Sequence, residues 1–143
     1  MTEPLNAVFV YGTLKPGRCN AGWASAIAAP QADPAVLHGY ALHHLGRYPA
    51  AAPASDAAPV QGVLYRYPPG SMPAVLAQLD ELEGFYGPRC PENLYERVAA
   101  HVEQGGCPEV PAWLYVYARP LPPGRRIESG SWRDDLWPND LAG

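Results

Sequence analysis

Prolines and glycines are dense along this 143-residue chain, with 18 and 14 copies respectively. Both interrupt regular structure, because proline lacks a backbone N–H and glycine loses the most conformational freedom on folding. Their spread leaves room for short elements only, which favours strands and loops over a helical bundle. The length suits a single domain over residues 1–143, and a 48% hydrophobic content is enough for a core without disulfides or metal.

Five segments have the apolar character of strands. Ala7–Tyr11 is apolar on both faces, which is typical of a central strand. The other four are Val36–Leu45, Val60–Tyr67, Tyr95–Val102 and Ala112–Tyr117. Ala50–Pro59 reads AAAPASDAAP, and we interpret it as a low-complexity loop. The pattern predicts the α+β class with a mostly antiparallel sheet, open or closed.

One segment has helical periodicity. Ser71 is the predicted N-cap, Pro73 lies in the first turn where its missing N–H is harmless, and Gly84 ends the helix. The apolar stripe between these signals consists of Val75, Leu76, Leu79 and Leu82.

An acidic residue falls inside that stripe. With Val75 at zero and about 100° per residue, Leu79 lies near 40° and Leu76 near 100°. Glu83 lies near 80° on the same wheel, between them, whereas Asp80 lies at the edge of the stripe, at about 140°. Burial and the negative end of the helix dipole would both raise the pKa of Glu83, which suits a general acid or base. The alternative is a helix that frays one residue early, with Glu83 turned to water.

The loop after the first strand, in VFVYGTLKPG, allows three interpretations. GTLKPGRC is close to a phosphate-binding loop, but Arg18 and Cys19 replace the lysine and hydroxyl, and Pro16 removes an N–H donor. A second interpretation is that the amides of Gly12, Thr13 and Leu14 form a concavity for a small anion such as a carboxylate. The third is an ordinary turn.

The net charge and the cysteine pattern argue against several classes of function. A net charge of −4 and a pI near 5.5 argue against nucleic acid as a partner. No apolar run reaches the length of a membrane helix, and the N-terminus lacks signal-peptide character, so we expect a cytoplasmic protein with no membrane partner. The three cysteines form no CxxC motif, and His43 and His44 would point to opposite faces of a strand, so no metal site is expected.

Three ordered motifs resemble the γ-glutamylcyclotransferase family, including its AIG2-like and γ-glutamylamine cyclotransferase branches. They are YGTL at Tyr11–Leu14, LDELEG at Leu79–Gly84 and YER at Tyr95–Arg97. Weaker matches are HGYALHHLGRYPA, VQGVLYRY, AWLYVY and IESGSW, so the resemblance runs from about residue 7 to residue 133. The chain departs from many relatives at Val63, where they carry an acid.

The resemblance implies a small β-barrel with a few flanking helices and an enzyme that releases 5-oxoproline from a γ-glutamyl compound. Glu83 would be the catalytic acid/base. The implied substrate-binding residues are Tyr11, Gly12, Thr13, Leu14, Tyr95 and Tyr115. No metal or organic cofactor is required, the partner is a small γ-glutamyl molecule, and we expect a monomer or weak homodimer.

Several alternatives stay open at this point. Tyr95 and Tyr115 could equally be core aromatics with satisfied hydroxyls. Arg97 is expected to brace the structure by pairing with an acid rather than to touch substrate. The chain could also be a non-catalytic binding module for a carboxylate-bearing metabolite, or a protein-interaction domain with an exposed apolar patch.

Overall fold

The computed structural model describes residues 6–11, 30–44, 49–55, 59–68, 70–121 and 126–127. These ranges contain one helix, α1 (Met72–Glu83), and eight strands. The strands are β1 (Ala7–Val10), β2 (Gln31–Leu37), β3 (Tyr40–His44), β4 (Pro49–Pro53), β5 (Val60–Arg66), β6 (Tyr95–Gln104), β7 (Cys107–Tyr117) and β8 (Arg126–Ile127). Within the same ranges, no helix combines the length and apolar character needed to cross a membrane.

Five strands close into a barrel in the order β1-β5-β2-β6-β7, and the ring is completed by a parallel contact between β1 and β7. The remaining pairs in the barrel are antiparallel. Three further strands form a separate antiparallel sheet in the order β4-β3-β8. The predicted α+β class and the mostly antiparallel barrel are therefore confirmed.

Strand β1 is buried along its whole length, as its two apolar faces predict. Phe9 and Tyr11 belong to a core cluster that also includes Leu42 of β3 and Ala51 of β4. Val8 and Val10 belong to a second cluster, which contains the buried residues of α1. One face of β1 thus points into the barrel core, to which the small sheet contributes Leu42 and Ala51, and the other face packs against the helix.

The predicted strand Val36–Leu45 is wrong as a single element. The chain forms two strands, β2 and β3, which belong to different sheets. Gly39 lies between them with a φ of 85°, a left-handed conformation that glycine adopts without steric cost. The direction of the chain therefore changes inside a segment that has continuous apolar character.

The predicted loop Ala50–Pro59 is wrong over its first part, because β4 covers Pro49–Pro53. This strand pairs with β3 in a register that sets Ala51 opposite Leu42. Ala50 and Ala51 are fully buried. Alanine has little intrinsic preference for strands, so the burial and the hydrogen bonds of the pairing override local propensity here.

Helix α1 agrees closely with its prediction. Val75 and Leu79 are buried, while Leu76 and Leu82 are partly buried against the same cluster. Ser71 stands at the N-cap position but makes no side-chain capping bond, since its hydroxyl donates to the carbonyl of Pro68 at 2.7 Å.

Candidate active site

Glu83 is the last residue of α1. The helix ends at Gly84, which has a φ of 69°, and the N–H of Phe85 donates to the carbonyl of Asp80 at 3.0 Å. A Cβ on residue 84 would lie 3.2 Å from the Cβ of Leu94, so glycine suits both the backbone conformation and the space. The alternative in which the helix frays before Glu83 is therefore wrong.

The environment of Glu83 is unfavourable to a negative charge. The residue as a whole is half-buried. Burial raises the pKa of its carboxyl group from 4.5 to about 7, and the nearby charge of Asp80 contributes to the shift. Asp80 precedes Glu83 by three residues, a spacing that sets two side chains on one face of a helix. Glu83 can therefore exchange a proton near neutral pH.

Asp80 is the centre of a hydrogen-bond network. Its Oδ1 atom accepts from the hydroxyl of Tyr115 at 2.6 Å, and its Oδ2 atom accepts from Nη1 of Arg97 at 2.5 Å. Arg97 on β6 lies directly opposite Tyr115 on β7, so both side chains leave the sheet on the same face. The sequence-based expectation that Arg97 pairs with an acid is confirmed.

Two aromatic rings hold the guanidinium of Arg97. Its Cζ atom lies 5.2 Å from the ring centre of Phe85 and 5.0 Å from that of Trp113, distances typical of cation–π contacts. The Nε atom is buried and has no hydrogen-bond partner among the described residues. Arg97 is thus oriented by one carboxylate and two rings.

Tyr115 and Tyr11 are connected through the barrel wall. The hydroxyl of Tyr11 donates to the backbone carbonyl of Tyr115 at 2.6 Å and accepts from the N–H of Ala51 at 3.3 Å. Burial raises the pKa of both tyrosines above the usual range, and the charge of Glu83 contributes in each case. The charge of Glu83 therefore acts on both tyrosines, which the hydrogen bond from Tyr11 to Tyr115 joins.

The remaining predicted substrate residues are Gly12, Thr13, Leu14 and Tyr95. Gly12, Thr13 and Leu14 lie outside the described residues. Tyr95 is buried, and its hydroxyl donates to the carbonyl of Pro49 at 2.7 Å, which links β6 to the first residue of β4. Its ring packs edge-on against Tyr117. A role for Tyr95 toward substrate stays a prediction.

The sequence analysis missed Asn93, which organises the loop after Glu83. Asn93 is only 2% exposed, and its Oδ1 atom accepts from the N–H of Tyr86 at 2.7 Å. Its Nδ2 group donates to the carbonyl of Gly87 at 2.8 Å and to Glu96 at 2.7 Å. This bonding fixes the loop that carries Phe85. The only sequence signal was a lone asparagine before a strand in a stretch rich in proline and glycine.

Metal ligation has no support in the described ranges, where no group of three or more histidine, cysteine or acidic side chains could hold an ion. Burial lowers the pKa of His43, and the positive charge of Arg126 lowers it further. His43 pairs with Arg126 across β3 and β8, in the small sheet rather than in the barrel.

Comparisons with known proteins agree on one family for this chain. The family model described as Gamma-glutamyl cyclotransferase, AIG2-like matches residues 8–134. The gamma-glutamylcyclotransferase family protein YtfP of Escherichia coli K12 is 34% identical over 127 residues, which cover 89% of this chain and 96% of that protein.

Solved structures agree with the fold. The solution structure of ytfP from Escherichia coli has a TM-score of 0.60 and 33% identity, covering 91% of this chain and 98% of its own. An AIG2-like protein from Mus musculus has a TM-score of 0.65 at 19% identity, covering 93% and 91% respectively, and this likeness concerns the fold alone. With a family model that matches nearly the whole chain and a relative at 34% identity, the protein belongs to the AIG2-like gamma-glutamylcyclotransferase family.

Proposed function

We propose that the protein is a cyclotransferase that converts the γ-glutamyl group of a small substrate into 5-oxoproline and releases an amine or amino acid. The observation that carries this proposal is Glu83, a half-buried carboxyl group with a pKa of about 7 at the end of α1. Family membership supports the reaction class. A cytoplasmic location and a monomeric or weakly dimeric state belong to the same proposal.

The reaction is an intramolecular acyl transfer. The substrate's α-amino nitrogen attacks its own γ-carbonyl carbon, a new C–N bond closes the five-membered ring, and the original amide C–N bond breaks. Both reacting groups lie in one molecule, so ring closure benefits from proximity. Atoms balance without water, since the proton lost by the attacking nitrogen is the one gained by the departing nitrogen.

Glu83 would carry that proton. Near neutral pH a carboxyl group with a pKa of about 7 is present in both forms, so it can accept a proton from the α-amine and return it to the leaving nitrogen. The oxyanion formed at the γ-carbon needs hydrogen-bond donors. We assign this role to the main-chain amides of Gly12, Thr13 and Leu14, which would also hold the γ-glutamyl part of the substrate.

A non-catalytic binding module is the competing function. Its pocket would contain the same residues, but a carboxyl group that is costly to ionise offers a binding protein no advantage. The raised pKa of Glu83 favours the enzyme, because proton transfer is most efficient near the working pH.

The test is an assay for 5-oxoproline with three substrate classes: γ-glutamyl amino acids, γ-glutamyl amines and glutathione. We expect turnover with at least one class and a loss of about 100-fold or more in kcat for Glu83→Gln. Glu81→Gln is the matched control, since Glu81 is an exposed glutamate on the same helix.

Two results would contradict the proposal. Full activity in Glu83→Gln would remove this residue from its role. Tight binding of a γ-glutamyl ligand, seen by calorimetry together with no 5-oxoproline after hours, would identify a binding module instead.

A further inference from the structure

The hydroxyl proton of Tyr115 is already committed within the protein. A tyrosine hydroxyl has a single proton to donate, and here it goes to Oδ1 of Asp80 at 2.6 Å. Asp80 is ionised when it pairs with Arg97, and a carboxylate can only accept hydrogen bonds. The oxygen of Tyr115 can therefore act toward any other group only as an acceptor.

Arg97 fixes the orientation in which Asp80 accepts the hydrogen bond from Tyr115. Its guanidinium occupies the second oxygen of Asp80 and is itself held over Phe85 and Trp113. Each oxygen of the Asp80 carboxylate accepts a hydrogen bond, one from Arg97 on β6 and one from Tyr115 on β7, and these two residues lie directly opposite each other. Neither Asp80 nor Tyr115 can rotate without breaking a hydrogen bond that involves a charged group, which is roughly twice as strong as a neutral one.

The Tyr115 oxygen, which can act as an acceptor, belongs to the same site as Glu83, the proposed base. Asp80 lies one helical turn before Glu83 and raises its pKa. The charge of Glu83 in turn raises the pKa of Tyr115 on β7 and of Tyr11, which follows β1, and Arg97 of β6 pairs with Asp80. Tyr11 has also committed its proton, to the carbonyl of Tyr115. Among these groups, none has a free hydroxyl donor for an oxyanion, whereas Glu83 and Tyr115 both have acceptor oxygens.

We propose that Asp80 is a positioning residue that, braced by Arg97, accepts the hydrogen bond from the hydroxyl of Tyr115 and so presents the Tyr115 oxygen as a hydrogen-bond acceptor for the substrate's α-amine. The inference rests on the proposed cyclotransferase function. An α-ammonium or amine has more than one N–H, so it can donate to Tyr115 and to Glu83 together. One N–H then orients the nitrogen while the other gives up its proton.

The assignment also places a negative charge one helical turn from Glu83. A like charge at that distance raises the pKa of the base, as the contribution of Asp80 indicates. Asp80 thus acts on the reaction in two ways, through Tyr115 and through Glu83. It need not touch the substrate in either case.

The first test compares Asp80→Asn with Glu81→Gln, which removes an adjacent exposed charge from the same helix. We expect Asp80→Asn to lower kcat/KM by about 10-fold or more and to move the acid inflection of its pH profile down by about one unit. Glu81→Gln should leave both unchanged. Asp80→Glu, which restores the charge, should restore the inflection in part.

A second measurement does not depend on turnover. The carboxyl carbon of Glu83 can be titrated by NMR in the wild type and in Asp80→Asn, and we expect a lower pKa in the variant. If the wild type makes no 5-oxoproline from any substrate, the proposed function fails, but this titration still supports or overturns the charge coupling. An unchanged Glu83 titration overturns that part of the inference.

A third test addresses the possibility that Asp80→Asn does not fold. Tyr115→Phe removes the acceptor and leaves the Asp80–Arg97 pair, so we expect a raised KM for substrates with a free α-amine. The double variant Asp80→Asn, Tyr115→Phe should lose less than the sum of the two single effects, because Asp80 acts through Tyr115. Unchanged KM in Tyr115→Phe, or strictly additive losses, would overturn the inference.

Discussion

Arg97 and Tyr115 stand directly opposite each other on β6 and β7, and each donates a hydrogen bond to a different oxygen of Asp80. The contact joins the barrel wall to the helix that carries Glu83. It connects a cross-strand pair, which the sheet register defines, with a residue three positions before the proposed base. The contact therefore bears both on the stability of the fold and on the proposed proton transfer by Glu83.

Removing Arg97 should destabilise the fold more than removing a surface arginine. The side chains of Arg97 and Asp80 are only 22% and 21% exposed, so Arg97→Met leaves a carboxylate poorly solvated. We expect a loss of about 1–3 kcal/mol in the free energy of unfolding, measured by urea titration. Arg66→Met is the matched control, because the Arg66–Asp33 pair is more exposed, at 39% and 28%. An equal or larger loss in the control would contradict this account.

Glu83→Gln should stabilise the protein while lowering kcat by about 100-fold or more. The folded chain holds the Glu83 proton up to a pKa of about 7, against 4.5 for the ordinary carboxyl. Below pH 4.5 the carboxyl group is protonated in both the folded and the unfolded chain, so it does not lower the free energy of unfolding. As the pH rises from 4.5 to about 7, the unfolded chain ionises first and the free energy of unfolding falls, by up to about 3 kcal/mol above that range. Glutamine cannot ionise, so the variant should gain most of that energy at about pH 8 and little at about pH 4.5. A pH-independent difference in urea midpoint would be inconsistent with the buried charge.

The pH dependence of kcat/KM should report the same carboxyl group. A general base must be deprotonated in the free enzyme, so kcat/KM should rise with pH and level off above an inflection at about 7. The slope below the inflection should correspond to one proton. An inflection near 4.5, the ordinary value for glutamate, would mean that Glu83 is solvated or is not the base.

Gly62→Ala should disrupt the strand that carries Tyr11. A Cβ at this position would clash with the carbonyl oxygen of Val10 and would lie 2.5 Å from the Cζ atom of Phe9. Neither the backbone nor a fully buried ring can move away cheaply, so we expect a loss of about 1–3 kcal/mol by urea titration. Gln61→Ala on the same strand is the control, because Gln61 is exposed and should change stability little. Wild-type stability in Gly62→Ala would show that β1 can shift.

Local patterns predicted the helix and its key residue well. Periodicity alone located α1, its C-terminal glycine and an acidic side chain inside the apolar stripe, because each of these depends on residues within one or two turns. The two apolar faces of β1 similarly predicted a strand buried on both sides. The family resemblance added the prediction of a barrel, because no local pattern shows whether a sheet closes on itself.

Pairing between distant segments was decided only by the tertiary structure. The strand β4 exists because Ala51 meets Leu42 in the small sheet, and the break at Gly39 exists because β2 and β3 join different sheets. Gly39 permits the break but does not require it, and the alanines of β4 have little intrinsic preference for a strand. A strand is stabilised by its partners, and those partners lie far away in the chain.

The surroundings of Glu83 likewise depend on residues that lie far from it in the chain. Glu83 could be identified from its own helix, but its raised pKa needs the burial that the barrel provides. The hydrogen bonds of Asp80 come from residues 17 and 35 positions away, on two strands whose register sets them opposite each other. The sequence by itself determined that an acidic residue would fall inside the apolar stripe of the helix; packing determined that this residue is buried and which groups surround it, because side-chain contacts depend on how the elements dock.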